Sequence, residues 1–442
     1  MSSSSPPSPA LVELDIAVLA SAIESLLSSS PSPDLSKDAL AALDAIESAF
    51  GPDGLGAVAV RGVPGFPSAR RRLLPLARQL AALPSAELAA LEVPERHYQF
   101  GWSHGKETLE DGSADLRKGS FYANPFGSDS LFTRHKSLAS HSGGIGKTDQ
   151  EYVSCDQNNA KELHNKELGL DQGCHTSQNI KPDNMEGLDA DAHLSAAHNV
   201  WPENSLPELR DAVETVSEMM RETAALLARV CDAHLLRHGV ANSKPLARVT
   251  SSPTAAKGRL LYYFPSKEAS NKESTELHRQ QENWCGWHRD HGSITCLTKA
   301  MYFDETNDLD SRTEVANVQD HLRIRTRSGL EVSVQIPEDC IAFQIGQAAQ
   351  VESGCWLMAT PHAVSMTPQP HLSRCTYALF LQPSGSDVLQ FPTSRAPGVP
   401  MPPQYQDCMT FGAFTQATLN MIYRHEDDTQ KAKVTGAKNA KL

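Results

Sequence analysis

The sequence predicts an α+β chain, mainly β in its C-terminal half, with a sandwich or barrel of short strands and packed N-terminal helices; the jelly roll is one such arrangement. Two patterns predict it. Past Leu246, short runs rich in β-branched and aromatic residues alternate with turns bearing Gly and Pro. Before that point, apolar residues recur at the three-to-four spacing of helices with one buried face. The 442 residues suffice for two or three domain-sized units or one large decorated domain, and 40% hydrophobic content is adequate for a core.

In chain order, Ser2–Pro9 reads as a disordered Ser/Pro-rich tail. Asp38 to Phe50 spaces Leu40, Leu43, Ile46 and Phe50 as a short amphipathic helix. Gly54 to Val63 reads as a strand closed by the Pro64-Gly65 turn. A helix follows from about Ser68 to Leu83, with Leu73, Leu76 or Ala77, and Leu80 inward and Arg70, Arg71 and Arg72 on a solvated face. Gly101–Glu107 and Gly119–Pro125 read as loops, and 128–198, polar and without period, as an irregular insertion in which His164, His175 and His193 are solvated. Ser205-Leu-Pro-Glu208 has the form of a capping box, opening the longest helix through to about Leu236 and closing near Gly239.

The β signals then begin. Arg259 to Pro265 and Gly292 to Phe303 read as strands, and Leu322–Thr326 with Leu330–Gln335 as a hairpin. Cys340–Gln344, Gln350–Glu352, Leu357–Pro361 and Cys375–Leu381 follow as short strands.

The formal charge of −13 argues against nucleic acid or anionic membrane as the main partner, since both would repel it. No apolar run is long enough to span a bilayer. The first thirty residues carry no Lys or Arg, unlike a secretory or organellar presequence, so a cytoplasmic location is expected. Nine scattered Cys without a Cys-x-x-Cys pair support neither a zinc site nor a disulfide framework.

Chemistry concentrates in the stretch Trp284 to Thr298. His288 and Asp290 stand two apart, so on an extended strand they point to one face. An imidazole beside a carboxylate is two-thirds of the facial triad that holds non-haem Fe(II). Among His321, His362 and His371 as the remaining ligand, His321 sits in a polar excursion and His371 in a Pro-rich turn, whereas His362 lies in a strand-like context. Two imidazoles and one carboxylate leave the ion net positive, with open positions for a 2-oxo acid and dioxygen. The far carboxylate of that acid needs a buried cation, and Arg374, with Thr376 two along on the same face, suits it.

The order Arg-Leu-Leu-Tyr-Tyr-Phe-Pro265, His288-x-Asp290, Ile345-Gly346-Gln-Ala-Ala-Gln350, His362-Ala-Val, Arg374-x-Thr376 resembles the isopenicillin-N-synthase-like branch of the 2-oxoglutarate/Fe(II) dioxygenases. The resemblance covers about 250–385 and extends weakly to 54–84 and 205–236. It implies a double-stranded β-helix (jelly-roll) core over 251–385, a strand and helical cap region over 1–250, and a C-terminal extension over 386–442 that packs on the core and ends in a disordered tail. It carries iron to His288, Asp290 and His362, and 2-oxoglutarate to Arg374 and Thr376, with Tyr262 or Tyr263 assisting. Departures are Thr376 for the usual Ser, Gln347 and Ala349 for the usual Asp and Leu, and an insertion around Asp304–Gln319.

The implied reaction consumes O2 and 2-oxoglutarate, releases succinate and CO2, and oxidises a C–H bond of a small-molecule substrate, most often by hydroxylation. Two competitors remain: an oxo-acid-independent iron oxidase of the same fold, and a jelly-roll protein that binds a ligand without catalysis.

Overall fold

A computed structural model describes residues 10–27, 35–107, 113–127, 199–240, 244–251, 253–265, 283–306, 314–316, 318, 322–367, 369 and 371–421. They fall within one compact unit, 1–134 with 190–442. The expected insertion over 128–198, the two terminal tails and His321 lie outside the described residues.

β1 (Val12–Asp15), α1 (Ile16–Leu27), α2 (Lys37–Phe50), β2 (Ala57–Arg61), α3 (Phe66–Ala81) and α4 (Ser85–Ala90) open the chain. β3 (Gly101–His104) and β4 (Lys118–Ala123) precede the 30-residue α5 (Glu208–Arg237), α6 (Arg248–Ser251) and β5 (Lys257–Tyr263). β6 (Asn283–His288), β7 (Ile294–Thr298), β8 (Met301–Asp304), β9 (Leu322–Arg325), β10 (Glu331–Val334), β11 (Ile341–Ile345), α7 (Gln347–Glu352), β12 (His362–Ser365) and β13 (Leu372–Leu381) follow. A last helical stretch covers 411–421.

The strands form a large sheet, in order β1-β2-β11-β7-β13-β5-β4-β3 with β8 beside β13, and a four-stranded sheet, β10-β9-β12-β6. Side chains alternate across each strand, and the core divides accordingly. Val58, Val60, Leu260, Tyr262, Phe343 and Tyr377 join the cluster shared with α1, α2, α3 and α5. Their neighbours Ala57, Ala59, Leu261, Tyr263 and Ala342 join a second cluster with Trp284, Ile324, Val332, Val334 and Val364 of the small sheet. The large sheet is therefore buried on both faces, by helices on one side and by the small sheet on the other. Among the described residues, no helix is long and apolar enough to cross a membrane.

Local chemistry sets the helix ends. Ser36 caps α2, its hydroxyl accepting from the Ala39 N–H at 3.1 Å, with Asp38 in the favourable first turn. The buried stripe runs through Ala39, Ala42, Leu43, Ile46 and Phe50, which leaves Leu40 outside at 43% exposure rather than inward. The expected capping box does not form. Pro207 disfavours helical geometry at Leu206, so α5 starts at Glu208 without a side-chain cap, and the Ser205 hydroxyl donates to Glu87 instead.

Other expectations change for identifiable reasons. Arg71 and Arg72 are about half exposed, but Arg70 is fully buried and not part of a solvated face. Its guanidinium donates to the carbonyls of Lys299 and Ala300 at 2.9 Å and pairs with Glu314 at 3.1 Å. Those carbonyls turn toward Arg70 at the point where the expected single strand over 292–303 divides into β7 and β8. Gly101–His104 and Lys118–Ala123 are not loops; they pair with each other and extend the large sheet from β5. Gln350–Glu352 belongs to a helix, and 357–361 makes no strand because its backbone is bound elsewhere: Met358 N–H donates to Phe50, and Ala359 N–H to the Gln350 side chain.

Candidate metal centre

β6 and β12 pair antiparallel in the small sheet with His288 opposite His362. β6 ends at His288, so Asp290 projects from the turn just beyond it rather than from the strand itself. The Nε2 atoms of His288 and His362 lie 3.8 and 3.9 Å from the two carboxylate oxygens of Asp290, and one ligand atom from each residue falls within 4.8 Å of the others.

The imidazoles are aimed by their other nitrogens. His288 Nδ1 lies 2.9 Å from the Gly286 carbonyl and His362 Nδ1 lies 3.3 Å from the Thr360 carbonyl. A proton on each Nδ1 satisfies those carbonyls and leaves the Nε2 lone pair facing Asp290. Asp290 is held in turn by the Thr295 hydroxyl, which donates to its carboxylate at 2.6 Å. The backbone of the turn is clamped by α7, whose first N–H groups have no partners within the helix: Gln347 N–H donates to Asp290 O at 2.8 Å and Ala348 N–H to Gly292 O at 3.1 Å. This contact requires Gly346, because a Cβ there would sit 2.1 Å from the Gly292 carbonyl oxygen.

The electrostatics suit a cation. Burial alone would raise the Asp290 pKa, but the facing imidazoles and the Thr295 hydroxyl hold it below the usual carboxylate range. Burial, with His288 adding to it, pushes His362 down to about 4, so its ring is neutral and able to coordinate. His288 differs: burial would lower its pKa, but the Cys285 sulfur 3.7 Å from its Nδ1 and the Asp290 carboxylate outweigh that and raise it to about 10, so coordination there displaces a proton. With that proton gone, two imidazole nitrogens and a carboxylate are the donor set of a divalent transition ion with open positions.

From this cluster a cavity of about 710 Å3, counting its open mouth, runs between the sheets. Leu261, Leu297, Leu322, Ile336 and Val364 give it apolar walls. Arg374, 6% exposed, lines it with its guanidinium 5.0 Å from the centroid of the Tyr263 ring. Thr376 faces the same space, its hydroxyl 3.3 Å from that of Thr298.

No protein-family model and no curated protein matches this chain. Solved structures do. One is a Caulobacter crescentus protein assigned to the 2OG-Fe(II) oxygenase family, similar at a TM-score of 0.54 and 15% identity over 94% of this chain and 100% of that one. The fold is that of the 2OG-Fe(II) oxygenases. A full-length Neurospora crassa protein in complex with alpha-KG is also similar, at 0.51 and 14% over 94% and 98% of the two chains. The same protein with alpha-KG and 5-formyluracil gives 0.51 and 14% over 93% and 97%.

Within this oxygenase fold the two tyrosines separate cleanly. Tyr263 pairs with Arg374 across β5 and β13 and lines the cavity. Tyr262 points to the helical side, where its hydroxyl donates to Glu305 at 3.0 Å beside the Arg78–Glu305 ion pair. His371 is exposed and outside the cluster.

Three cavity residues were not among the site residues expected from the sequence. Thr295 was merely one residue of a strand. Arg259, two positions before Leu261 on the same face of β5, lines the cavity while paired with Glu107 at 2.7 Å. Gln344 on β11 is 2% exposed, faces the cavity, and has no hydrogen-bond partner for either amide atom among the described residues. Strand alternation could have flagged Arg259 and Gln344 as inward polar residues in apolar strands.

Proposed function

We propose that this chain is a 2-oxoglutarate- and Fe(II)-dependent dioxygenase that hydroxylates a small-molecule substrate: 2-oxoglutarate, O2 and R–H give succinate, CO2 and R–OH. The reading rests on one observation above all: the facing nitrogens and carboxylate of His288, His362 and Asp290 open into the same cavity as the buried guanidinium of Arg374. In this reading the two sheets are the halves of a double-stranded β-helix, with 251–385 as its catalytic part.

His288, Asp290 and His362 would hold Fe(II), which when bound supplies the activation of O2 coupled to oxidative decarboxylation of the oxo acid. Arg374 takes the far carboxylate of 2-oxoglutarate, and a guanidinium does this with two parallel charged hydrogen bonds. Tyr263 lies against that guanidinium and Thr376 offers a hydroxyl on the same face. The apolar walls exclude water from the reacting C–H bond. Thr295 fixes the Asp290 carboxylate so that one oxygen keeps its direction.

The deciding experiment is succinate release from 2-oxoglutarate by iron-loaded protein, with and without a metabolite extract. Fe(II)-dependent succinate supports the reading. Consumption of O2 without succinate would replace it with an oxo-acid-independent oxidase, and neither signal with Fe(II) unbound would leave a non-catalytic binding protein.

A further inference from the structure

On the far side of the large sheet, the C-terminal end of α5 presents His234 in its last turn and His238 at its cap, four positions on and hence on one face. Glu47, on the last turn of α2, reaches both: its Oε2 lies 3.1 Å from His234 Nε2 and 3.5 Å from His238 Nε2. One ligand atom from each of the three falls within 4.8 Å of the other two. In a tetrahedral zinc site with metal–ligand bonds of about 2.0–2.1 Å, neighbouring ligand atoms are separated by about 3.3 Å. The two measured separations straddle that value.

A plain His–Glu hydrogen bond accounts for the cluster less well. His234 is 4% exposed, and among the described residues its Nε2 makes no hydrogen bond although the carboxylate is in range. The misalignment fits a nitrogen lone pair and an oxygen lone pair turned toward a common point rather than toward each other. The rings pack with centroids 4.6 Å apart, which keeps the two imidazoles side by side. His238 is also pre-set: its ring stacks on Trp356 at 3.9 Å and 24°, and its carbonyl accepts from the Ser394 hydroxyl at 2.7 Å.

We propose that Glu47, His234 and His238 form a second divalent-cation site, suited to zinc or a similar imidazole-preferring ion, separate from the His288–Asp290–His362 cluster. Three protein ligands leave the fourth position to solvent, and Glu47, half exposed, gives the ion a path in. The ion ties α2 to α5. Through Trp356 under His238, and through Met358, whose N–H donates to Phe50 O at 2.8 Å, it also braces the segment that leads to His362.

The test is equilibrium dialysis of the chelator-stripped full chain against Zn2+, and against Co2+ with its visible spectrum recorded. His238→Ala and Glu47→Gln both alter partly exposed side chains, so the fold is kept, as circular dichroism checks. Each should lose about one equivalent of Zn2+ per chain and the absorption of four-coordinate Co2+. His362→Ala should keep that equivalent, which separates this site from the proposed iron centre. Unchanged stoichiometry in either the His238 or the Glu47 variant overturns the proposal.

Discussion

His362 and His288 face each other across the antiparallel pairing of β12 and β6, with ring centroids 4.3 Å apart. Seventy-four positions of sequence separate them, yet the register of one strand pair sets their distance. A one-residue slip of β12 would turn His362 to the opposite face.

Replacing His362, His288 or Asp290 by Ala should abolish Fe(II) binding and turnover together, read as iron stoichiometry and succinate formation. Thr295→Val should be milder: losing the donor that orients Asp290 is expected to weaken metal affinity about 10–100-fold with the ligands intact.

Arg374→Ala should retain iron while raising the 2-oxoglutarate KM. Hydrogen bonds to a charged group contribute about 1.5–3 kcal/mol, which corresponds to about 10–150-fold. Wild-type dependence on 2-oxoglutarate in this variant would place the anchor elsewhere.

The two tyrosines should separate in a paired experiment. Tyr262→Phe removes a hydrogen bond to the Glu305 carboxylate and should cost about 1.5–3 kcal/mol of stability with turnover unchanged. Tyr263→Phe should act on 2-oxoglutarate dependence instead. Denaturant midpoints and steady-state kinetics on both variants read the contrast.

Arg70→Ala should destabilise the protein by about 2–4 kcal/mol, because it strands the Lys299 and Ala300 carbonyls in the core and leaves a cavity. Arg71→Ala, at an exposed ion pair, should stay within about 0.5 kcal/mol. Equal effects in urea unfolding would contradict the buried role of Arg70.

Burial pushes the His291 pKa down to about 4, against an ordinary value near 6.5. Between these values the unfolded chain binds a proton that the native chain does not, so this contribution to stability is complete above about pH 6.5 and is lost as pH falls toward 4. His291→Gln should therefore show a shallower fall in thermal midpoint than the wild type over that range. Parallel curves would show that His291 titrates normally.

How much was legible depended on range. The periods behind α2, α3, α5 and β13 are local, and they placed those elements to within a few residues. Capping at Ser205 failed because Pro207 overrode it, and the strands expected over 350–352 and 357–361 failed because the backbone there is satisfied by Phe50 and the Gln350 side chain rather than by a ladder. Arg70 looked like its two neighbours until the divide between β7 and β8 supplied carbonyls to bind it. The pair His234 and His238 gave no signal, because Glu47 stands nearly two hundred positions away.

By itself, the sequence determined an α+β chain with its long helices ahead of most of its strands, and a short set of His, Asp and Arg residues of matching chemistry. Hydrophobic period and residue type are properties of neighbours along the chain. Only the tertiary structure decided that His288, Asp290 and His362 converge, that Tyr263 rather than Tyr262 meets Arg374, and that Arg70 is buried. Strand register and the two faces of the large sheet set those relationships, and both depend on which distant segments pair.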